Sequence, residues 1–326
     1  MPLELQTVST EVSAVSLQDR VIAHLRIARF DHSVKQVFIL PGIVLAIALT
    51  GAHLSLALAG KIAVGLIAAT LIACSNYVIN ELLDAPFDRL HPTKCNRPAA
   101  SGQIHFGWGY AQWIGMMLAG MALASTISLG FAYSAMGLWL MGCVYNIPPL
   151  RSKDQPYIDV LSESINNPLR FCLGWYIVTS ALLPPISLLL SYWMLGAYFM
   201  GLKRFSEYRQ INDCVLAANY RRSFLYYREE SLLNSVVFYA AASMLFFGAF
   251  IMRYRMELIL AFPLVAWLMA IYFSIAFREE SAVQNPEKLY RERGLMAVLA
   301  LCIAAFVLLL FVDMPWIGSV FPKSQP

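Results

Sequence analysis

The chain has 326 residues, of which 59% are apolar and 13% charged, with a mean hydropathy of +0.60 and a formal net charge of +4. Soluble domains carry about 25% charged residues, so a soluble enzyme, a disordered chain and a nucleic-acid binder are excluded. Apolar runs of about twenty residues predict instead an all-α, polytopic membrane bundle, because backbone polar groups in lipid must be satisfied within each spanning segment.

The first stretch, to about residue 20, is polar and lacks the pattern of a cleaved signal peptide. Residues 17–30, LQDRVIAHLRIARF, place apolar and basic side chains at helical spacing. They predict a cytoplasmic leader over 1–35 that lies on the membrane surface; a plain solvated leader is the alternative. A single membrane domain over 36–326 then holds nine predicted spans, near 37–59, 62–82, 106–126, 128–147, 160–182, 186–206, 232–252, 257–277 and 294–313. The third and fourth nearly touch, which requires a tight turn around Ser128 to Gly130. The fifth is the most polar, with Glu163, Asn166, Asn167, Pro168 and Arg170 ahead of an apolar part that starts near Phe171. With the N-terminus in the cytoplasm, 19 of the 24 Lys and Arg fall in inside segments and 4 outside, and Arg170 lies within the fifth span. That asymmetry is the positive-inside pattern. The six cysteines are scattered without a CxxC pair, so neither a disulfide framework nor a zinc site is expected.

The chemistry concentrates in the loops assigned to the cytoplasm. In 76-NYVINELLDAPFDRLHPTKCNRPAASG-102, Asn80, Asp84 and Asp88 recur every fourth residue, which puts them on one face of a helix. An oxygen-lined helix end suits Mg²⁺, with Mn²⁺ as the alternative. Magnesium binds through one or two carboxylates plus substrate phosphates, so a diphosphate completes the site, with Lys94 and Arg97 behind it. Acids simply paired with Arg89 or Lys94 are the bland alternative. In 145-YNIPPLRSKDQPYIDVLSESINNPLR-170, Asp159 and Glu163 repeat the spacing, and Arg151 and Lys153 precede them. Charges inside a span are functional candidates by default, and these form a second metal–diphosphate half-site. The alternative is an internal polar network with Glu163 paired to Arg170. The third stretch, from Lys203 and Arg204 through Glu207 and Arg209 to Arg221 and Arg222, offers guanidinium groups for phosphate oxygens. It equally fits orientation and anionic lipid, and Glu207 is expected to position a neighbouring base. Tyr145, Tyr157, Trp175 and Tyr176 are candidate ring faces for a cationic intermediate, or ordinary packing. His91 is read as a loop residue.

NELLDAPFD followed by HPTKCNRPAASG resembles the first motif of the UbiA superfamily of intramembrane prenyltransferases, with Glu81 where that family usually has Asp. Asp159-x-x-x-Glu163 is similar to its second motif, DxxxD. The DRLHPTK, KRFSEYR and YRRSFLYY runs look like the decaprenyl-phosphate phosphoribosyltransferase branch, whereas PLRSKDQPYIDVLSES does not.

The resemblance implies nine helices around a central cavity whose active site faces the cytoplasm. In the resulting assignment Asn80, Asp84, Asp88, Asp159 and Glu163 hold the metal. Asp84, Asp88, Asp159, Lys94 and Arg97 carry the chemistry. Asn80, Tyr145, Arg151, Lys153, Asn166, Asn167, Arg170, Lys203 and Arg204 bind substrate. The expected partners are an isoprenyl diphosphate or polyprenyl phosphate lipid, a second acceptor and the surrounding membrane lipid, with no nucleic acid. Prenyl transfer is the leading reaction. Phosphoribosyl transfer to a polyprenyl phosphate and terpene cyclisation use the same acids, while a secondary transporter or a noncatalytic scaffold would not need them at one face.

Overall fold

The computed structural model describes residues 16–89, 94–211, 222–279, 281–284 and 286–320. His91 and Arg221 lie outside them. No strand occurs among the described residues. The helices are α1 (Leu17–Ile27), α2 (Leu40–Thr50), α3 (Leu56–Asp88), α4 (Phe106–Ser125), α5 (Leu129–Asn146), α6 (Ile158–Ser164), α7 (Asn166–Val178), α8 (Ile186–Ile211), α9 (Glu229–Tyr254), α10 (Phe262–Ala276), α11 (Arg293–Phe311) and α12 (Pro315–Val320). Among the described residues six segments are long and apolar enough to cross a membrane: 17–50, 56–88, 186–211, 229–254, 256–276 and 293–311. The expected third, fourth and fifth spans are also helical, as α4, α5 and α6–α7, but are not among those six.

Local chemistry sets the boundaries. The expected first span of 37–59 stops at Thr50, because Gly51 takes φ 67° and turns the chain out of the helix. Ser55 then caps α3 by accepting from Leu58 N at 3.2 Å. From there α3 runs 33 residues, past the expected end at 82, and carries the whole first acidic motif. Ser128 caps α5 through Phe131 N at 3.2 Å, which makes the tight α4–α5 turn. The expected fifth span of 160–182 is corrected: it is two helices broken at Ile165, and the second ends at Val178. Pro168, in the first turn of α7, has no N–H to give back to Ser164, the last residue of α6.

The helices pack in pairs, α3 along α4, α8 along α9 and α2 along α7, with α7 also against α3, α5 and α8. One apolar core joins α2, α3, α4, α5 and α7, and another joins α8, α9 and α10. At the α2–α7 crossing two glycines let the backbones touch. A Cβ on Gly42 would overlap the Phe171 carbonyl oxygen, and one on Gly174 would overlap that of Ile39. Close backbone approach through small residues is how helices associate in lipid. Gly174→Ala is expected to destabilise the fold by about 1–3 kcal/mol through overpacking. The double variant G42A/G174A should cost less than the sum of the singles, since one separation of the helices relieves both clashes. Thermal midpoints of the four proteins in one detergent check this, and strict additivity would contradict it.

Candidate active site

The first cluster grows from the end of α3. Asn80 Nδ2 donates to Asn146 Oδ1 at 2.6 Å. One turn on, Asp84 Oδ1 accepts from Lys153 Nζ at 2.6 Å and Arg151 Nη2 at 2.9 Å. Lys153 Nζ also donates to Asn146 Oδ1 at 3.0 Å. The α5–α6 loop aims these bases. Arg151 sits at φ 27°, in the left-handed region, and its Nε is tied to Asp154 Oδ2 at 2.9 Å. Strain of this kind at a non-glycine residue persists only where its surroundings enforce it. The next turn of α3 brings Asp88, whose Oδ2 accepts from Arg97 Nη1 at 2.8 Å. Lys94 opens the short 3₁₀ turn Lys94–Asn96 that leads to Arg97. Glu81 is buried and turned to the loop, where its Oε1 accepts from Ala99 N at 3.3 Å.

The second cluster is organised by Arg204, whose side chain is 2% exposed. It donates Nε to Asp159 Oδ2 at 3.1 Å, Nη2 to Glu163 Oε2 at 2.7 Å and Nη1 to Glu207 Oε2 at 3.0 Å. Glu207 thus positions a base, as its spacing suggests, and Lys203 Nζ lies 4.0 Å from Glu207 Oε1. Asp159 is fully buried and also accepts from Tyr227 OH at 2.6 Å and Ser223 Oγ at 3.3 Å. The alternative pairing of Glu163 with Arg170 is not what forms: Arg204, entering from α8, takes Glu163.

The two clusters meet at the end of α5. Tyr145 OH donates to Glu163 Oε2 at 3.0 Å, while the next residue, Asn146, serves Asn80 and Lys153. A further link is Ser152 Oγ to Ser162 Oγ at 2.8 Å. Three expected site residues lie off this assembly. Asn166 Nδ2 donates to Glu163 O at 3.0 Å, and its buried Oδ1 has no partner among the described residues. Asn167 packs its amide against Gly196 of α8. Arg170 is buried, and its Nη1 donates to Asn166 O of its own helix at 3.4 Å. Trp175 and Tyr176 are packing residues: Trp175 Nε1 donates to Leu182 O at 2.8 Å, and the Tyr176 ring covers Gly130. Sequence reasoning missed Asn146, Ser223 and Tyr227. Asn146 stands beside Tyr145 at the head of a polar loop, which was a usable signal. Tyr227 and Ser223 carried none, since they reach Asp159 only through folding.

Tyr227 has a testable consequence. Burial, and then the Asp159 carboxylate, hold its phenol far above the usual tyrosine range. Its folded-state pKa is raised, so the neutral phenol's contribution is complete below about pH 10 and is lost only as pH climbs through the raised value. Tyr227→Phe should therefore lower stability by about 1.5–3 kcal/mol, by the same amount at pH 7 and at about pH 9. A difference that grows over that interval in thermal melts would show a phenol whose folded-state pKa is lowered rather than raised.

Oxygen donors fit a hard divalent cation at the first cluster. Asp84 and Asp88 each engage one oxygen with a base, and Asp84 Oδ2 and Asp88 Oδ1 carry no bond among the described residues. Among those residues no three His, Cys, Asp or Glu side chains form an ion cage by themselves. One or two carboxylates completed by substrate phosphate is magnesium's usual arrangement. At the second cluster Arg204 already engages one oxygen of each of Asp159, Glu163 and Glu207.

The UbiA prenyltransferase family profile matches residues 37–296. No curated protein sequence matches the chain. Among solved structures it is similar to a UbiA homolog from Archaeoglobus fulgidus bound to DMAPP and Mg²⁺, with a TM-score of 0.66 and 22% identity over 89% of this chain and 100% of that chain. The same homolog bound to GPP and Mg²⁺ gives 0.64 at the same identity and coverage. A digeranylgeranylglyceryl phosphate synthase gives 0.62 and 14% identity over 90% of this chain and 99% of that chain. At these identities the likeness is one of fold.

Proposed function

The chain belongs to the UbiA prenyltransferase family, and from that premise we propose that it is a multi-pass membrane enzyme that transfers a prenyl group from an isoprenyl diphosphate to an acceptor. The observation that carries this reading is the junction at the end of α5, where consecutive residues Tyr145 and Asn146 each bond one of the two acidic motifs. In this reading nine helices span the bilayer, the N-terminus is cytoplasmic and the active site faces the cytoplasm, with a central cavity for the lipid chain.

Asp84 and Asp88, with the Asn80 amide, would hold Mg²⁺ or Mn²⁺. The metal supplies positive charge against the diphosphate oxygens. Arg151 and Lys153 sit where they neutralise charge on the leaving group, and Lys94 and Lys203 add to that field. Arg97 holds Asp88 in place. Arg204 keeps Asp159, Glu163 and Glu207 at fixed positions, so the second motif acts as a pre-organised wall of the site. The C1–O bond of the donor breaks with both electrons leaving on diphosphate. The acceptor nucleophile bonds to C1 and gives up its proton. Asn166, Asn167 and Arg170 are assigned to the deeper wall on the substrate side. The similarly folded Archaeoglobus fulgidus homolog is bound to DMAPP and to GPP, which supports an isoprenyl donor.

The test uses purified protein with Mg²⁺ and follows diphosphate release. Geranylgeranyl diphosphate is offered with aromatic and glycerophosphate acceptors, and phosphoribosyl diphosphate is offered with a polyprenyl phosphate. Release that needs both the isoprenyl donor and an acceptor, with a prenylated product, is expected. Release only with phosphoribosyl diphosphate would replace prenyl transfer by phosphoribosyl transfer. Release from the isoprenyl donor alone, with a hydrocarbon or terpene alcohol product, would make it a cyclase.

A further inference from the structure

The amphipathic leader segment is not used by the site above, yet it builds a cavity. Ser16 caps α1 through Asp19 N at 3.1 Å. Ala23, Ile27 and Ala28 are buried with Val78, Leu82 and Ala85 of α3. His24 Nδ1 and Gln112 Oε1 of α4 are 3.0 Å apart, and Gln112 Nε2 donates to His24 O at 2.8 Å. The helix is therefore docked on the bundle by its small residues. Between it and the end of α3 lies a cleft of about 530 Å³ that opens at the surface.

Three guanidinium groups line this cleft, those of Arg26, Arg29 and Arg97. Arg26 is exposed and makes no hydrogen bond or ion pair among the described residues. Arg29 sits in the left-handed region at φ 52°, with Nη2 2.7 Å from His32 Nε2. Two acids share the wall: Glu81 Oε1 accepts from Ala99 N and lies in the field of Arg97 and Arg29, and Asp31 lies 3.4 Å from His32 Nε2. The remaining wall is apolar, with Ile22, Leu25 and Phe30, all of them exposed. Leu17, Val21, Val34 and Val37 extend the same exposed apolar surface along the leader segment. Guanidinium groups are the side chains suited to phosphate oxygens. A soluble anion has no use for the apolar rim, whereas an amphiphile at the bilayer surface uses both.

We propose that this cleft holds the headgroup phosphate of an anionic bilayer phospholipid, with Arg26, Arg29 and Arg97 on its oxygens and Ile22, Leu25 and Phe30 against the first acyl carbons. The cleft adjoins the donor site and shares Arg97 with it, which lines the cleft while bonding Asp88. Native mass spectrometry of the full chain, delipidated in detergent and titrated with dioleoylphosphatidylglycerol, tests the proposal. One retained lipid is expected, with dioleoylphosphatidylcholine failing to replace it. Arg26→Gln, which disturbs no contact of the fold, should weaken retention roughly tenfold, the worth of one charge-assisted contact. Arg20→Gln removes an equal charge from the same helix outside the cleft and should leave retention unchanged. Equal loss in R20Q and R26Q, or none in R26Q, would overturn the site in favour of a diffuse field. Displacement by inorganic phosphate or by farnesyl phosphate at matched concentration would overturn the choice of a bilayer lipid.

Discussion

Asp84→Asn is expected to lower prenyl transfer by about a hundredfold or more, the loss that follows removal of one charged element from a pre-organised transition-state site. The carboxylate does two things in the geometry. One oxygen gathers Arg151 and Lys153, and the other is open for a cation. The amide keeps the shape and an acceptor oxygen but removes the charge that does both. Folding is checked by monodispersity in detergent and by the thermal midpoint. Asp154→Asn is the matched control. Asp154 binds the same Arg151 at 2.9 Å but stands outside the α3 motif, so its loss should change the rate only a few-fold. Equal defects in D84N and D154N would mean that Arg151 alone matters and that Asp84 is not a metal ligand.

Arg204→Met should carry the largest stability effect, about 3–5 kcal/mol, as expected when one partner of a buried ion pair is removed. It leaves Asp159, Glu163 and Glu207 facing one another without their shared cation. Arg204→Lys should recover only part of this, because one ammonium cannot make the three-way planar contact. The second expectation separates geometry from charge: full rescue by lysine in thermal melts would show that Coulomb attraction alone holds the cluster. Carboxylate protonation should also partly rescue R204M at low pH, since neutral acids no longer repel.

Much of this was legible along the chain because it is local. Asn80, Asp84 and Asp88 share a face by helical spacing, and α3 carries all three. The Ser128 turn, the α8 bases and the link from Glu207 to Arg204 are separated by a few residues and follow from periodicity. What could not be read depends on long-range closure. Arg204 reaches Asp159 across 45 positions and Tyr227 reaches it across 68. Hydropathy overran Gly51, which ends α2 inside an apolar run, and the fifth span, supported by the charge pattern, overran the break at Ile165. Arg170 looked like a partner for Glu163 because it was near in sequence. The break at Ile165 and the entry of α8 gave that role to Arg204.

The most direct test of the central claim measures binding rather than turnover. Geranylgeranyl thiolodiphosphate, which resists ionisation, is titrated calorimetrically into wild type, D84N and D88N, with Mg²⁺ and with EDTA. The account predicts Mg²⁺-dependent binding to wild type that weakens at least tenfold in either variant or in EDTA, the worth of one charged contact at the site. Equal affinity with and without Mg²⁺, unchanged in D84N and D88N, would contradict a metal-held diphosphate at the end of α3.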